Sequence, residues 1–197
     1  MNIEALRDDR IHDFINYCKR HKAEVDDSFL YDEDFKDFKF SEENPTYIVE
    51  NETGDIIAAA SLIINDYYRR GRMGRFRIFH SEVEDIDTYR KLMMNILKHT
   101  EGLDKVNVFV PVVNTKMMEL MEGLRFMVER YSFLLVRGDS EVPETVLPEG
   151  YEIRAFRLGK DEEVWCVVRN AGFAKLKGSE TPMTPKQVAD SMMAEDS

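Results

Sequence analysis

The stretch Tyr67–Arg77, "YYRRGRMGRFR", gathers Arg69, Arg70, Arg72, Arg75 and Arg77 in a chain of formal charge −11. Guanidinium groups at that density could hold an anion or an acidic partner, because each presents a planar fork of donors to paired oxygens. The preferred reading is plainer: a solvated hairpin tip whose arginines balance nearby carboxylates. A second run has the opposite sign. Glu82, Glu84, Asp85 and Asp87 fall within "SEVEDIDT", where a helix is expected to begin. Carboxylates there stabilise the helix itself by roughly 0.3–1 kcal/mol each. A third stretch, "NTKMMELMEGLRFMVERYSFLLVR", begins with Asn114 as a helix cap. Met117, Met118, Leu120 and Met121 follow at helical spacing and read as core filler, not as a ligand box. Cys18 and Cys166 lie far apart among apolar helix positions, and neither has a Cys or His at ligand spacing. Structural thiols, with no disulfide framework and no metal, are expected.

Elements must hold these residues, and composition bounds what they can build. The chain has 197 residues, 43% hydrophobic and 11% aromatic, which fits a globular protein with one good core. The acidic balance argues against nucleic acid and anionic membranes as partners, since phosphate-rich surfaces need a basic face. No apolar run is long enough to cross a bilayer, and "MNIEALRDDRIHDF" meets charges at once, unlike a signal peptide. A cytoplasmic protein is the expectation.

Along the chain, Ile3–Leu6 is a short first strand. Residues 9–24 form a helix on the face of Ile11, Phe14, Ile15 and Cys18, with Asp9 as cap. A second short helix falls in 27–40. "PTYIVE", "IIAAASLIIND" and "MGRFRIFH" make an antiparallel meander, the first turn being "NETGD" and the second at Gly71. Residues 86–99 keep the 3.6-residue period. "VNVFVPVV" reads as a strand covered on both faces and paired in parallel. A helix from Asn114, the "GLRF" turn and a strand over Tyr131–Arg137 complete the order β-α-α-β-β-β-α-β-α-β.

That order, and above all "NTKMMELMEGLRFMVERYSFLLVR", resembles the GNAT superfamily of acyl-CoA-dependent N-acetyltransferases: an asparagine, a helix, a "GF"-like turn and a final strand. The resemblance covers residues 1–138, with 139–150 as a linker. "YEIRAF", "KDEEVWCVVRNAGFAKL" and "TPMTPKQVADSMM" then look like the strand and two helices that open a second such domain, incomplete, over 151–197. The fold class implied is α/β (α+β): a mixed central sheet flanked by helices, followed by a strand–helix–helix fragment.

The resemblance also implies a site. Acetyl-CoA would lie where the fourth and fifth strands, Arg75–His80 and Val106–Val110, splay apart. Ile78, Phe79, His80, Ser81 and Asn114 would be its contacts, with Asn114 near the thioester. His80 and Glu82 fit a general base near the end of the fourth strand, and Tyr131 an acid at the start of the last. Three departures bear on this. The loop Ser81–Thr88 has neither the glycines nor the arginine that cradle a pyrophosphate. Met121 stands where the family often has a tyrosine, and Arg125 where the turn has glycine. The implied activity is acetyl transfer to a small-molecule or peptide amine, weakened by the acidic loop. The alternative is a non-catalytic half of a tandem protein. The apolar faces of the tail are expected to dock on the first domain or to pair with a second copy as a homodimer.

Overall fold

The computed structural model describes residues 2–133, 135–138 and 146–195. They form two compact units, Met1–Met127 and Val128–Ser197. The first contains a five-stranded sheet in the order β1 (Asn2–Ala5), β2 (Thr46–Glu50), β3 (Ile56–Ile63), β4 (Met73–Ser81) and β5 (Lys105–Asn107). The first three pairings are antiparallel and the last is parallel. The helices are α1 (Ile11–Arg20), α2 (Asp32–Phe35), α3 (Asp66–Arg70), α4 (Ile86–Ile96) and α5 (Thr115–Gly123). The expected meander, the central mixed sheet and its flanking helices are all present.

Alternation along the strands builds a core on each face of the sheet. Ala58, Ala60 and Leu62 of β3, with Phe76 and Phe79 of β4, pack against Tyr89, Leu92 and Ile96 of α4 and Met117 and Met121 of α5. Ala59, Ile48 and Ile78 face the other way, toward Phe14, Tyr17 and Cys18 of α1 and toward Phe35 and Phe38. Fully buried residues such as Leu92 and Ile96 each contribute roughly 1.5–3 kcal/mol relative to exposure. Cys18 and Cys166 are buried free thiols, and Met117 and Met121 are core residues, as their positions imply.

A register shift interrupts the β3–β4 ladder. Ser61 faces Ile78, but the next residue, Leu62, faces Phe76, so Arg77 is an extra residue on β4. Such a bulge bends its strand. It also explains why Phe76 and Phe79, three apart, share a face and stack with centroids 4.6 Å apart. Beyond it, Ile78 and His80 point toward α1.

Several local expectations are corrected. Asp9 is not a cap: it lies in a 3-10 turn, Asp8–Arg10, and α1 stops at Arg20 before a second such turn, Lys22–Glu24. The helix in 27–40 is a single turn, although Phe35 and Phe38 are buried. A short helix, α3, capped by Asn65, precedes Gly71. "VNVFVPVV" is strand only to Asn107; Val112 and Val113 are exposed, because the segment has left β4 and has no second covering face. The described residues of 131–137 contain no strand, and Leu134 lies outside the described residues. Residues 139–145 of the 139–150 linker lie outside them too.

In the second unit, "YEIRAF" has no regular secondary structure, since nothing described pairs with it. The two expected helices are there: α6 (Glu162–Phe173) and α7 (Pro185–Glu195). Thr184 caps α7 with Pro185 first: Gln187 N–H donates to Thr184 Oγ1 at 3.3 Å, and Thr184 N–H donates to Gln187 Oε1 at 3.1 Å.

Candidate active site

The ladder between β4 and β5 has three rungs, the last Arg75 with Asn107. Thereafter β4 runs on to Ser81 while 108–111 diverges, so the two strands open a wedge. Phe76, Phe79, Val108, Val110 and Met117 line it, with only about 10 Å³ open to water. At the mouth, Asn114 does two things. Its Oδ1 accepts from Met117 N–H at 3.1 Å, capping α5, and its Nδ2 donates to the Glu24 carbonyl at 3.3 Å. Asn114 therefore ties the far wall of the wedge to the turn after α1.

His80 lies at the end of β4, 7% exposed, on the α1 side. Its Nδ1 is 2.7 Å from the Tyr17 hydroxyl and its Nε2 3.3 Å from Glu24 Oε2. The ring stacks on His21 with centroids 4.3 Å apart. His21 in turn sits between two carboxylates, Nδ1 to Glu24 Oε1 at 2.8 Å and Nε2 to Glu82 Oε1 at 2.9 Å. Burial, with His21 beside it, holds His80 below the ordinary imidazole pKa, against the pull of Glu24 and Glu82. The close contact with His21 holds Glu24 below the usual carboxylate range. Burial raises the Tyr17 phenol, so it stays a neutral hydroxyl.

A neutral imidazole carries one N–H, yet His21 makes close contacts with carboxylates on both nitrogens. One of the two contacts is acceptor against acceptor until a cation joins it. A cation held between His21 and these carboxylates would satisfy the acceptor left over.

Of the residues that the sequence singles out, His80 and Glu82 come together in this cluster, with Ile78, Phe79 and Ser81 on the strand that leads to it. Sequence reasoning missed Tyr17, His21 and Glu24. Their spacing, four and then three residues, puts them on one face of α1 and its extension, a signal visible in "YCKRHKAE". Tyr131 is exposed and belongs to the second unit, outside the cluster built from the first.

At the start of α4, Asp85 Oδ1 accepts from the amides of Asp87 and Thr88 at 2.9 and 3.0 Å. Ser81 Oγ accepts from Val83 N–H at 3.0 Å, and Glu84 pairs with Lys116. The amides of Val83, Asp87 and Thr88 are thus engaged by the loop's own side chains. A polar cleft of about 420 Å³ lies beside Glu82, lined by Asp13, Arg20 and Asp55 among others.

The arginine run binds its own neighbours. Arg72 makes two bonds to Asp104, at 2.8 and 2.7 Å, and Arg70 pairs with Asp66. The hairpin-tip reading holds for these residues and for the exposed Arg69. Arg75, 2.7 Å from Asp26 and between the rings of Phe29 and Phe109, and the buried Arg77 are part of the strand's packing, because β4 crosses the core.

No family model matches the chain. A 46-residue segment is 37% identical to a mycothiol acetyltransferase of Pseudarthrobacter chlorophenolicus, and a 68-residue segment is 35% identical to that of an Arthrobacter species. The matches cover 23% and 34% of this chain but only 14% and 20% of those proteins. Among solved structures, AAC(6')-Iy, in complex with the bisubstrate analogue CoA-S-monomethyl-acetylneamine, superposes with a TM-score of 0.52 at 13% identity. That match covers 69% of this chain and 97% of AAC(6')-Iy. The fold is that of the GNAT acetyltransferases.

Proposed function

We propose that this chain transfers an acetyl group from acetyl-CoA to a small-molecule or peptide amine, with the cluster around His80 as proton acceptor. The observation that carries the reading is His80 itself: a neutral, buried imidazole at the end of β4, beside the wedge where β4 and β5 part. In this reading the pantetheine arm runs along β4 past Ile78 and Phe79, and the thioester lies near Asn114. The side chains that fill the wedge move to admit it. The ammonium of the acceptor approaches through the polar cleft beside Glu82, drawn by Asp13, Asp55 and Glu82. It gives its proton to the cluster, where Glu24 and Glu82 stabilise the imidazolium that forms. The free amine attacks the thioester carbonyl carbon, the new C–N bond forms as the C–S bond breaks, CoA leaves as a thiolate, and the proton shed by the new amide nitrogen ends on that thiolate. Tyr131 is retained as a proposed acid for that thiolate. AAC(6')-Iy, solved with a CoA bisubstrate analogue, and the partial matches to mycothiol acetyltransferases support the reaction class.

A second reading is favoured by Asp85. Its carboxylate takes the amides that a pyrophosphate would need, and in a non-catalytic domain that arrangement serves stability alone. On either reading, residues 151–197 belong to a second domain after the 139–150 linker. Val164, Val167 and Val168, exposed on α6, are the surface through which two copies pair. The deciding experiment is isothermal titration with acetyl-CoA at low salt, followed by a screen of amines for CoA release. Binding with turnover establishes the first reading. No binding at low salt, where charge effects are least screened, establishes the second.

A further inference from the structure

Beyond acetyl transfer, we propose that His21, Glu24 and His80 form a binding site for a divalent transition-metal ion of the zinc class. Their ligand atoms lie within 4.8 Å of one another. Bound at about 2.0–2.2 Å from each donor, a tetrahedral ion needs ligand atoms roughly 3.4 Å apart. His80 Nε2 and His21 Nδ1 already stand 3.3 and 2.8 Å from the two oxygens of Glu24. The remaining adjustment falls to Glu24, whose side chain is half exposed.

The far nitrogens make the stronger case. Imidazoles that hold metals donate their other N–H to a carboxylate, carbonyl or similar oxygen, which fixes the tautomer and aims the free lone pair. Both histidines are arranged this way. His21 Nε2 meets Glu82 Oε1 at 2.9 Å, and if that nitrogen carries the proton, the Nδ1 lone pair turns toward Glu24. His80 Nδ1 meets the Tyr17 hydroxyl at 2.7 Å, and that hydroxyl in turn reaches the Ile57 carbonyl at 3.2 Å. If His80 donates to Tyr17 and Tyr17 to Ile57, every proton is placed and the Nε2 lone pair faces Glu24. Two lone pairs then converge on one carboxylate, an arrangement that a cation resolves. Asn114 steadies the site by holding the Glu24 carbonyl. Two nitrogens and one carboxylate suit zinc, with the fourth position left to water.

The site does not depend on the acetyl-transfer reading. A metal would occupy the lone pairs that accept the proton, so loading and acetyl transfer exclude each other. Metal binding is measured directly, so its failure would leave the titration with acetyl-CoA untouched.

The test uses the full chain, stripped with EDTA and dialysed against Zn²⁺, with Co²⁺ as a spectroscopic probe. One Zn²⁺ per chain and the visible bands of four-coordinate cobalt are expected. Glu24→Gln, at a half-exposed position, should abolish the cobalt spectrum while circular dichroism stays unchanged. Glu82→Gln should weaken Zn²⁺ binding by about 10- to 100-fold through its hold on His21. His12→Ala, on the surface, should change neither. No uptake by the parent chain, or equal uptake by a His21→Ala, Glu24→Gln double variant, would overturn the assignment and leave a proton as the only cation the cluster takes.

Discussion

The carboxylate of Asp85 grips Thr88 twice, Oδ1 accepting from its amide at 3.0 Å and Oδ2 from its hydroxyl at 2.6 Å. The hydroxyl bond is the larger cause of the low pKa of Asp85. The N-terminus of α4 therefore already has an anion in place. Asp85→Ala should cost about 1 kcal/mol of stability as a lost cap. It should also tighten acetyl-CoA binding at low salt, because the amides of Asp87 and Thr88 are released. Unfolding in urea and isothermal titration read the two effects separately. Unchanged affinity in the less stable variant would show that these amides never meet the diphosphate.

His80→Ala should slow acetyl transfer by roughly 10²-fold or more while leaving acetyl-CoA affinity unchanged, since a proton acceptor acts on the chemical step. Initial rates and titration on the same preparation, in EDTA, check both halves. Equal rates in variant and parent would remove His80 from the reaction.

Arg125→Gly should stabilise the first unit by about 1 kcal/mol. Arg125 ends α5 with φ of 67°, while its N–H bonds to the Glu122 carbonyl and that of Phe126 to the Met121 carbonyl. That is a helix stop which normally uses glycine at this position. Thermal or urea unfolding decides; a loss of stability would mean the Arg125 side chain contributes more than its backbone costs.

Asp161 accepts bonds from Arg154 and Arg157, which hold its carboxyl far below the usual carboxylate range. A depressed carboxylate gives its stability in full above the unfolded pKa of about 3.9 and loses it as pH falls toward the folded value. Trp165 is the chain's one tryptophan and lies on α6 in the same unit, so its fluorescence reports there. The second unit should loosen as pH drops below about 4, and Asp161→Asn should be looser at neutral pH with a flatter acid limb. A limb of the same steepness would discharge Asp161.

Much of the fold was readable in the residues. The period of Ile86–Ile96, the alternation in β3 and the cap at Asn114 are local signals, and local signals fix helices, strands and their order. The cluster was half legible for the opposite reason. His80 and Glu82 stand out at a strand end, but Tyr17, His21 and Glu24 become partners only when α1 packs on β4, where Tyr17 meets His80 from 63 residues away in sequence. The stop of β5 at Asn107 was not legible at all. "VNVFVPVV" has the composition of a full strand, and its pairing ends at Arg75, two residues before the bulge at Arg77 on its neighbour.

That bend has an implication for how such a domain could lose or acquire a cleft. Arg77 is surplus to the β3–β4 ladder: excising it would leave Ser61 opposite Ile78 and Leu62 opposite Phe76, and both cores would keep their members. With the kink gone, β4 could keep zipping to the segment after Asn107, and the wedge would close into a continuous parallel pair. A single codon in the middle of β4 would then separate a sheet with an opening from one that is merely a wall.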